Sequence, residues 1–443
     1  MGSTQSLAEF IVNLKFEDIP QNVIDQAKKC FLDWLGVALG GTNYPIADIL
    51  TEFAGDIGGK EQATILGKGI RTNILNAALA NGAISHVLDF DDTHIDSICH
   101  ISSPIMPVIF SLGEYKRING KDCIVAFVSA FETSARLGMA IEPDHYNTGW
   151  HATSTIGHIG ATAAAGKLLA LNEKQMRCAF GIGATQACGF QAVFGTMCKP
   201  FHPGKAAMDG ILASMLAQKG FDCPENILEA KKGFCEIFSK HVDFTKITEE
   251  LGEEYQILNN TFKPYASCLL THPSIDAALD LRNTYNLSIQ DIEKIEGHVA
   301  PLLMDVAGKE NPKTALEGKF SIYYCIAVAL AEGDVGENKF TDRRMSDKIL
   351  SNLQKLISLE VDRSFDNTTA ELTIRTRKGP LYTKKILTPR GDPRNPLSFS
   401  QLEQKFKKLG ETVLSEEKIN KLLTHIQSLE KLEDMNHLIS LCY

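Results

Sequence analysis

Along residues 6–40 the apolar positions fall on one helical stripe, with Val23, Ala27, Cys30, Phe31, Trp34, Leu35 and Ala38 three or four apart. Pro20 stands where a helix can begin and Gly40-Gly41 where it can stop. The same spacing predicts helices over 45–53, over 73–88 with Thr72 as its cap, over 104–115 and over 122–141, while 63–69 reads as extended. Small residues crowd the 122–141 helix, so its neighbours can approach closely and the region reads as a tightly packed bundle. A loop holding Trp150 and His151 leads into a helix that starts near Thr153, and further helices are predicted over 173–194 and 205–216.

Beyond residue 265 the pattern changes. Segments 292–299, 357–362 and 370–386 alternate apolar with polar residues and are rich in β-branched side chains, with a hairpin turn expected at Lys378-Gly379. A helix over 320–330, presenting Tyr323 and Tyr324, lies between them, so 265–388 reads as a compact α+β domain. The Pro- and Gly-rich run 387–396 reads as a linker. The tail 399–441 returns to amphipathic helix, with Leu402, Phe406 and Leu409 on one side, and can rejoin the first helical part.

Composition narrows the functional classes. A length of 443 residues with 44% hydrophobic and 22% charged residues fits an ordinary globular protein of two or three domains. A net charge of −9 argues against nucleic-acid or anionic-membrane partners, so an anionic ligand must be held by locally gathered cations. The cysteines are scattered singly, without a CxxC pair, and fit a reducing compartment. With no signal peptide at the N-terminus and no uninterrupted apolar run long enough to span a membrane, a cytoplasmic protein is expected.

Three stretches carry chemistry. SHVLDFDDTHIDSICHISS, 85–103, packs His86, Asp89, Asp91, Asp92, Thr93, His94, Asp96 and His100 behind an Ala-rich helix. Carboxylates there face the negative end of the helix dipole, which does not favour them. Asp91 and Asp92 are expected in an Asx-type turn. A metal set of His86, Asp89, Asp91 and His94 has suitable ligand chemistry, but its spacing matches no standard zinc motif. His151 lies at a helix N-terminus, a place suited to an anion. The GxxxxxGK run from Gly160 to Lys167 is one residue too long for a phosphate loop, lacks the Ser or Thr, and follows no strand. In GTMCKPFHPG, 195–204, Lys199, His202 and Lys205 surround two prolines in what reads as a rigid loop entering a helix; Lys199 is preferred as a ligand and Lys205 as a solvated charge. TFKPYASCLLTHPS, 261–274, brings Lys263, Tyr265, Cys268 and His272 together, with Cys268 read as a buried thiol.

With these stretches the chain resembles the MmgE/PrpD family, which includes 2-methylcitrate dehydratase, cis-aconitate decarboxylase and iminodisuccinate epimerase. HVLDFDDTH, the loop at His151, KPFHPGKAA and FKPYASCLLTHPS follow one another in the family's order over nearly the whole chain. The resemblance implies a mainly α fold: a large all-helical domain from both chain ends, 1–264 and 395–443, and a smaller inserted α+β domain, 265–394. It also implies a homodimer, a small anionic carboxylate as substrate, and no metal or organic cofactor. Catalytic positions carry over to Asp89, His100, His151 and Lys199, and substrate-binding positions to Thr93, Lys263 and, as a looser match, Tyr324. Family members commonly show His-Pro-Ser where this chain has His100-Ile101-Ser102, and the decarboxylase branch carries a His where this chain has Cys268.

The family's reactions share loss or gain of a group next to a carboxylate through a carbanion-like species. Lys199 and Lys263 are expected to hold carboxylates with His151 assisting, Asp89 and His100 to move protons, and Thr93 to orient the substrate. The leading expectation is a lyase of the 2-methylcitrate dehydratase type. A dicarboxylate epimerase or racemase comes next, then cis-aconitate decarboxylation. A non-catalytic ligand-binding homologue is the alternative from another class, against which the retained Asp89, His151, Lys199 and Lys263 speak.

Overall fold

The computed structural model describes residues 2–377 and 379–443, and 59% of the chain is helical, which makes the protein mainly α. The chain forms two units, one from Met1–Thr261 with Ser398–Tyr443 and the other from Phe262–Leu397.

In the first unit, Gln21–Gly41 buries the apolar stripe around Phe31, Trp34 and Leu35. The Phe399–Gly410 helix of the tail packs on it through Leu402, Phe406 and Leu409, all buried. Pro45–Ile57 runs one turn further than expected. Ile74–His86 is capped by Asn73, whose side chain accepts from the amides of Leu75 and Asn76. Thr72, the expected cap, is instead the last residue of the strand Ile70–Thr72, paired antiparallel with Ala63–Ile65. The helices Ser102–Lys116 and Cys198–Gln218 pack directly on Ile74–His86, Ala152–Leu168 packs on both of them, and Gly120–Ile141 packs on Ala152–Leu168. Gly120–Ile141 is long and apolar enough to cross a membrane, contrary to the expectation that no segment qualifies. Its apolar window is 94% buried inside the fold, as in a core helix, and its Arg136 reaches Glu132 and the carbonyls of Glu249, Glu250 and Glu254.

Two further boundaries differ from the sequence reading. The helix expected over 173–194 ends at Ala184. The chain beyond it pairs with the segment before Ala152–Leu168: Gly189 O accepts from His151 N at 2.9 Å and Gly149 O from Gln191 N at 2.9 Å. Gly189 takes φ 147°, a conformation suited to glycine, and helix continuation there would forbid this pairing. The helix expected from residue 205 starts at Cys198 and includes Pro200 and Pro203. Pro200 falls among the first four residues, whose N–H groups have no partner within the helix, whereas Pro203 lies inside it and gives up one backbone hydrogen bond of the second turn. This helix crosses Ile74–His86 closely, since a Cβ on Gly204 would lie 2.2 Å from Leu79 O, so only glycine fits at the crossing.

The second unit is built on a four-stranded sheet. Its order is Ile357–Val361, Ile292–Val299, Ala370–Thr376, Leu381–Ile386, with the first pair parallel and the other two antiparallel. The Lys378 half of the expected hairpin turn lies outside the described residues. His272–Tyr285 packs on the last two strands and on Ile322–Glu332. The run 387–396 is an ordered turn rather than a loose linker, because Asp276 accepts from Arg390 N at 2.6 Å and from Arg390 Nε at 2.8 Å.

Candidate active site

The close crossing at Gly82 and Gly204 brings the loop after Ile74–His86 beside the first turn of Cys198–Gln218. Asp89 turns the chain at that helix end with φ 53°, a left-handed conformation that Asp tolerates better than most residues. Its Oδ1 lies 2.5 Å from Lys199 Nζ. Both groups are largely withdrawn from water; burial lowers the Lys199 pKa, but the Asp89 charge and hydrogen bond more than reverse this and raise it. The Lys199 ammonium also sits 5.6 Å above the Phe194 ring, whose edge-to-face partner is His151.

Asp91 and Asp92 do not form the expected Asx turn; both are buried and their carboxylates reach other side chains. Asp91 Oδ2 accepts from His86 Nδ1 at 2.8 Å and from the Ser103 hydroxyl at 2.5 Å, and lies 3.2 Å from His100 Nδ1. Burial pushes the Asp91 carboxyl up, but the two imidazoles and their hydrogen bonds overcome that and hold it well below the usual carboxylate range. Thr93 Oγ1 shares His100 Nδ1 at 3.2 Å. With Nδ1 committed in this way, Nε2 is the His100 nitrogen left for proton exchange. Burial takes the His86 imidazole down to about 4, against the pull of Asp91 and with the push of Lys199, so it stays neutral near pH 7.

Asp92 has a different fate. Its Oδ2 accepts from Ser102 at 2.5 Å and Asn260 at 2.6 Å, and burial followed by the charge of Asp33 raises its pKa to about 7. Asp33 itself is held at 2.7 Å by Lys405, from the tail helix Phe399–Gly410. Lys405 also donates to Phe90 O at 2.7 Å and covers the Phe90 ring at 3.8 Å. The last part of the chain thus supplies the cation behind the 89–92 loop.

His151 is the N-cap residue of Ala152–Leu168, and Thr153 in that helix accepts from His100 N at 3.0 Å, tying the two segments together. The His151 ring stacks on His86 at 5.8 Å, and its Nδ1 lies 2.9 Å from Nδ1 of His202. Asp89, Thr93, His100, His151 and Lys199 are therefore gathered in the first unit. Lys263 is buried in the second unit, where the Tyr324 hydroxyl donates to Lys339 O at 2.6 Å. Cys268 is buried there too, and His272 begins the His272–Tyr285 helix with Nε2 3.3 Å from Ser267 O.

The metal set weighed from the sequence does not assemble. His94 Nδ1 meets Ser97 Oγ at 2.9 Å and its ring packs on Phe131, while Asp89 is held by Lys199. The ligand atoms of His86, Asp91 and His100 do lie within 4.8 Å of one another and could hold an ion. An ion there would have to displace the hydrogen bonds that converge on Asp91 Oδ2. Lys167 of the GxxxxxGK run donates to the carbonyls of Val12 and Leu14, a structural use, and two open cavities beside it contain none of the site histidines. Lys205 pairs with Asp209, which also meets His158 Nε2 at 3.0 Å.

A buried lysine facing a carboxylate, next to imidazoles with fixed hydrogen bonds, has the chemistry that acid–base work on an anionic ligand requires. A family model of the MmgE/PrpD N-terminal domain matches residues 5–247 and one of the C-terminal domain matches 265–431, and the chain belongs to the MmgE/PrpD family. Curated relatives include cis-aconitate decarboxylase of Aspergillus terreus, 26% identical over 99% of this chain and 96% of its own. The cis-aconitate decarboxylases of Mus musculus and Homo sapiens are 28% and 27% identical, each over 99% of this chain and over 93% and 94% of their own.

Proposed function

We propose that this protein is a lyase that cleaves a bond next to a carboxylate of a small polycarboxylate, with its own side chains as acid, base and cationic clamp. The observation that carries this reading is the buried Lys199–Asp89 pair beside His100, whose Nδ1 is held by Asp91. A substrate carboxylate can compete with Asp89 for the lysine, and the ammonium then stabilises the charge that develops as the bond breaks. His100 Nε2 supplies or removes the proton, with Thr93 and Asp91 fixing the ring. Lys263 and Tyr324 are assigned to substrate binding by the family resemblance, and a homodimer and a cytoplasmic location belong to the same proposal.

The near full-length similarity to cis-aconitate decarboxylases supports decarboxylation of a cis-aconitate-like tricarboxylate. In that step the bond to the departing CO2 breaks, its electron pair enters the neighbouring alkene–carboxylate system, and one proton from the enzyme completes the product. The dehydratase type is the second reading, favoured by Cys268 where the decarboxylase branch carries a His. Proton NMR in heavy water with cis-aconitate, citrate, 2-methylcitrate and 2-substituted succinates separates them. Loss of CO2 with one deuterium incorporated is the expected result; alkene formation from a hydroxy acid would replace it with the dehydratase reading, and exchange without skeletal change would make the enzyme an epimerase.

A further inference from the structure

Four buried or half-buried histidines that meet carboxylates or carbonyls in the first unit have their protons assigned by those partners. His86 and His100 face Asp91, His158 faces Asp209 and Ser154 O, and His145 faces Phe238 O. His151 and His202 are different: their Nδ1 atoms face each other at 2.9 Å, and among the described residues no carboxylate is bonded to either ring. Two nitrogens at that distance hold one proton between them, since two N–H groups would collide and two lone pairs would repel. Each neutral imidazole has two tautomers, so moving that proton across reverses both rings together.

We propose that His151 and His202 share one proton along this line, making His202 the residue that sets whether His151 Nε2 acts as a base or an acid. When His151 Nε2 takes a proton, its Nδ1–H passes to His202 Nδ1, and His202 Nε2–H is released to solvent. The reverse sequence delivers a proton. Every ring gains one proton and loses one, and neither finishes charged. His202 is half-buried and His151 is buried, so His202 is the solvent-side member of the pair.

The surroundings favour a neutral pair. Burial, then the charges of Lys199, His86, His202 and His100, hold the His151 imidazole well below its ordinary value. Burial, then His158 and Lys199, take His202 down to about 4, with Lys205 and Asp209, one and two turns further along its helix, paired with each other. A decarboxylation consumes one proton per turnover, so a site this enclosed needs a route for its supply. The inference deepens the proposed function, because it names how protons reach that site.

The test is nitrogen NMR of the full-length protein labelled with 15N-histidine, the two rings being identified through His202→Gln and His151→Gln. The expected spectrum at pH 7 has both rings neutral, with a coupling between the two Nδ1 atoms across the hydrogen bond. An imidazolium signal from either ring, or absence of that coupling, overturns the proposal. This measurement needs no substrate, so it stands apart from failure of the substrate panel. With an active substrate, His202→Gln should lower kcat about 10²-fold with KM within twofold, and free imidazole should partly restore His202→Ala. Unchanged kcat in a folded His202→Gln protein would also overturn it.

Discussion

The two sides of the site handle imidazole in opposite ways. On one, Asp91 takes His86, His100 and Ser103 on a single oxygen, so the histidine protons are pinned by a fixed negative charge. On the other, His151 and His202 meet without a carboxylate among the described residues, and the proton between them has two resting places. A carboxylate-bound imidazole tolerates becoming charged, because its counter-ion is already in place. An imidazole bound to another imidazole in a buried setting is better suited to passing a proton on while staying neutral. Lys199 stands between the two, paired with Asp89 and sharing Phe194 with His151.

The contrast can be broken most severely at its common cation. Lys199→Ala should cost about 10³-fold in kcat/KM, the scale of losing a donor aimed at developing charge, and should also lower the unfolding midpoint, because Asp89 loses this counter-ion in a largely buried setting, so the kinetics are read well below that midpoint. Near-native steady-state kinetics would remove Lys199 from the mechanism. Asp91→Asn strikes one side only and should lower kcat about 10²-fold. Asn keeps the shape and an acceptor oxygen but removes the charge on which the His86 and His100 contacts converge. Unchanged kcat in the folded variant would make Asp91 a packing residue.

The smallest effect sharpens the comparison by using the neighbouring carboxylate. Asp92 touches neither histidine pair, and its pKa stands at about 7 in the fold, raised from the ordinary 3.8 of an aspartate. A raised acid binds more protons folded than unfolded, so its contribution to stability is present below pH 4 and is lost as pH rises towards 7. Between pH 5 and 6 this amounts to at most about 1.4 kcal/mol. Asp92→Asn should therefore flatten the urea-denaturation free energy over that interval relative to wild type, with turnover changed less than tenfold. An identical pH slope in the two proteins would show that Asp92 is ionised in the fold.

The sequence carried the helical core well, because its apolar stripes are long: Val23 to Ala38 lies buried as the spacing requires. It carried the helix boundaries near the site less well. Pro200 and Pro203 are loop signals by composition, yet the helix starts at Cys198 and takes them in. That shift hid His202, since residues 199 and 202 share a face only when the segment is helical. Asp91 was hidden for another reason. Its partners His100 and Ser103 lie nine and twelve positions ahead and meet it only after the chain has folded back through Thr93–His94, which pairs with Asn260–Thr261. Local turn chemistry was the nearer explanation for a DD pair, and tertiary contacts displaced it.

The lysine behind the 89–92 loop gives the protein a built-in order of events during synthesis. The loop and all five residues gathered in the first unit are made early, but Lys405 follows only after the whole of Phe262–Leu397 has been translated. Until then Asp33 and the carbonyl of Phe90 lack this shared cation. A nascent chain can therefore assemble its early helices, yet the finished electrostatic setting of the site arrives with the last tenth of the polypeptide, so that a ribosome-bound or prematurely terminated product carries the motifs without the completed site.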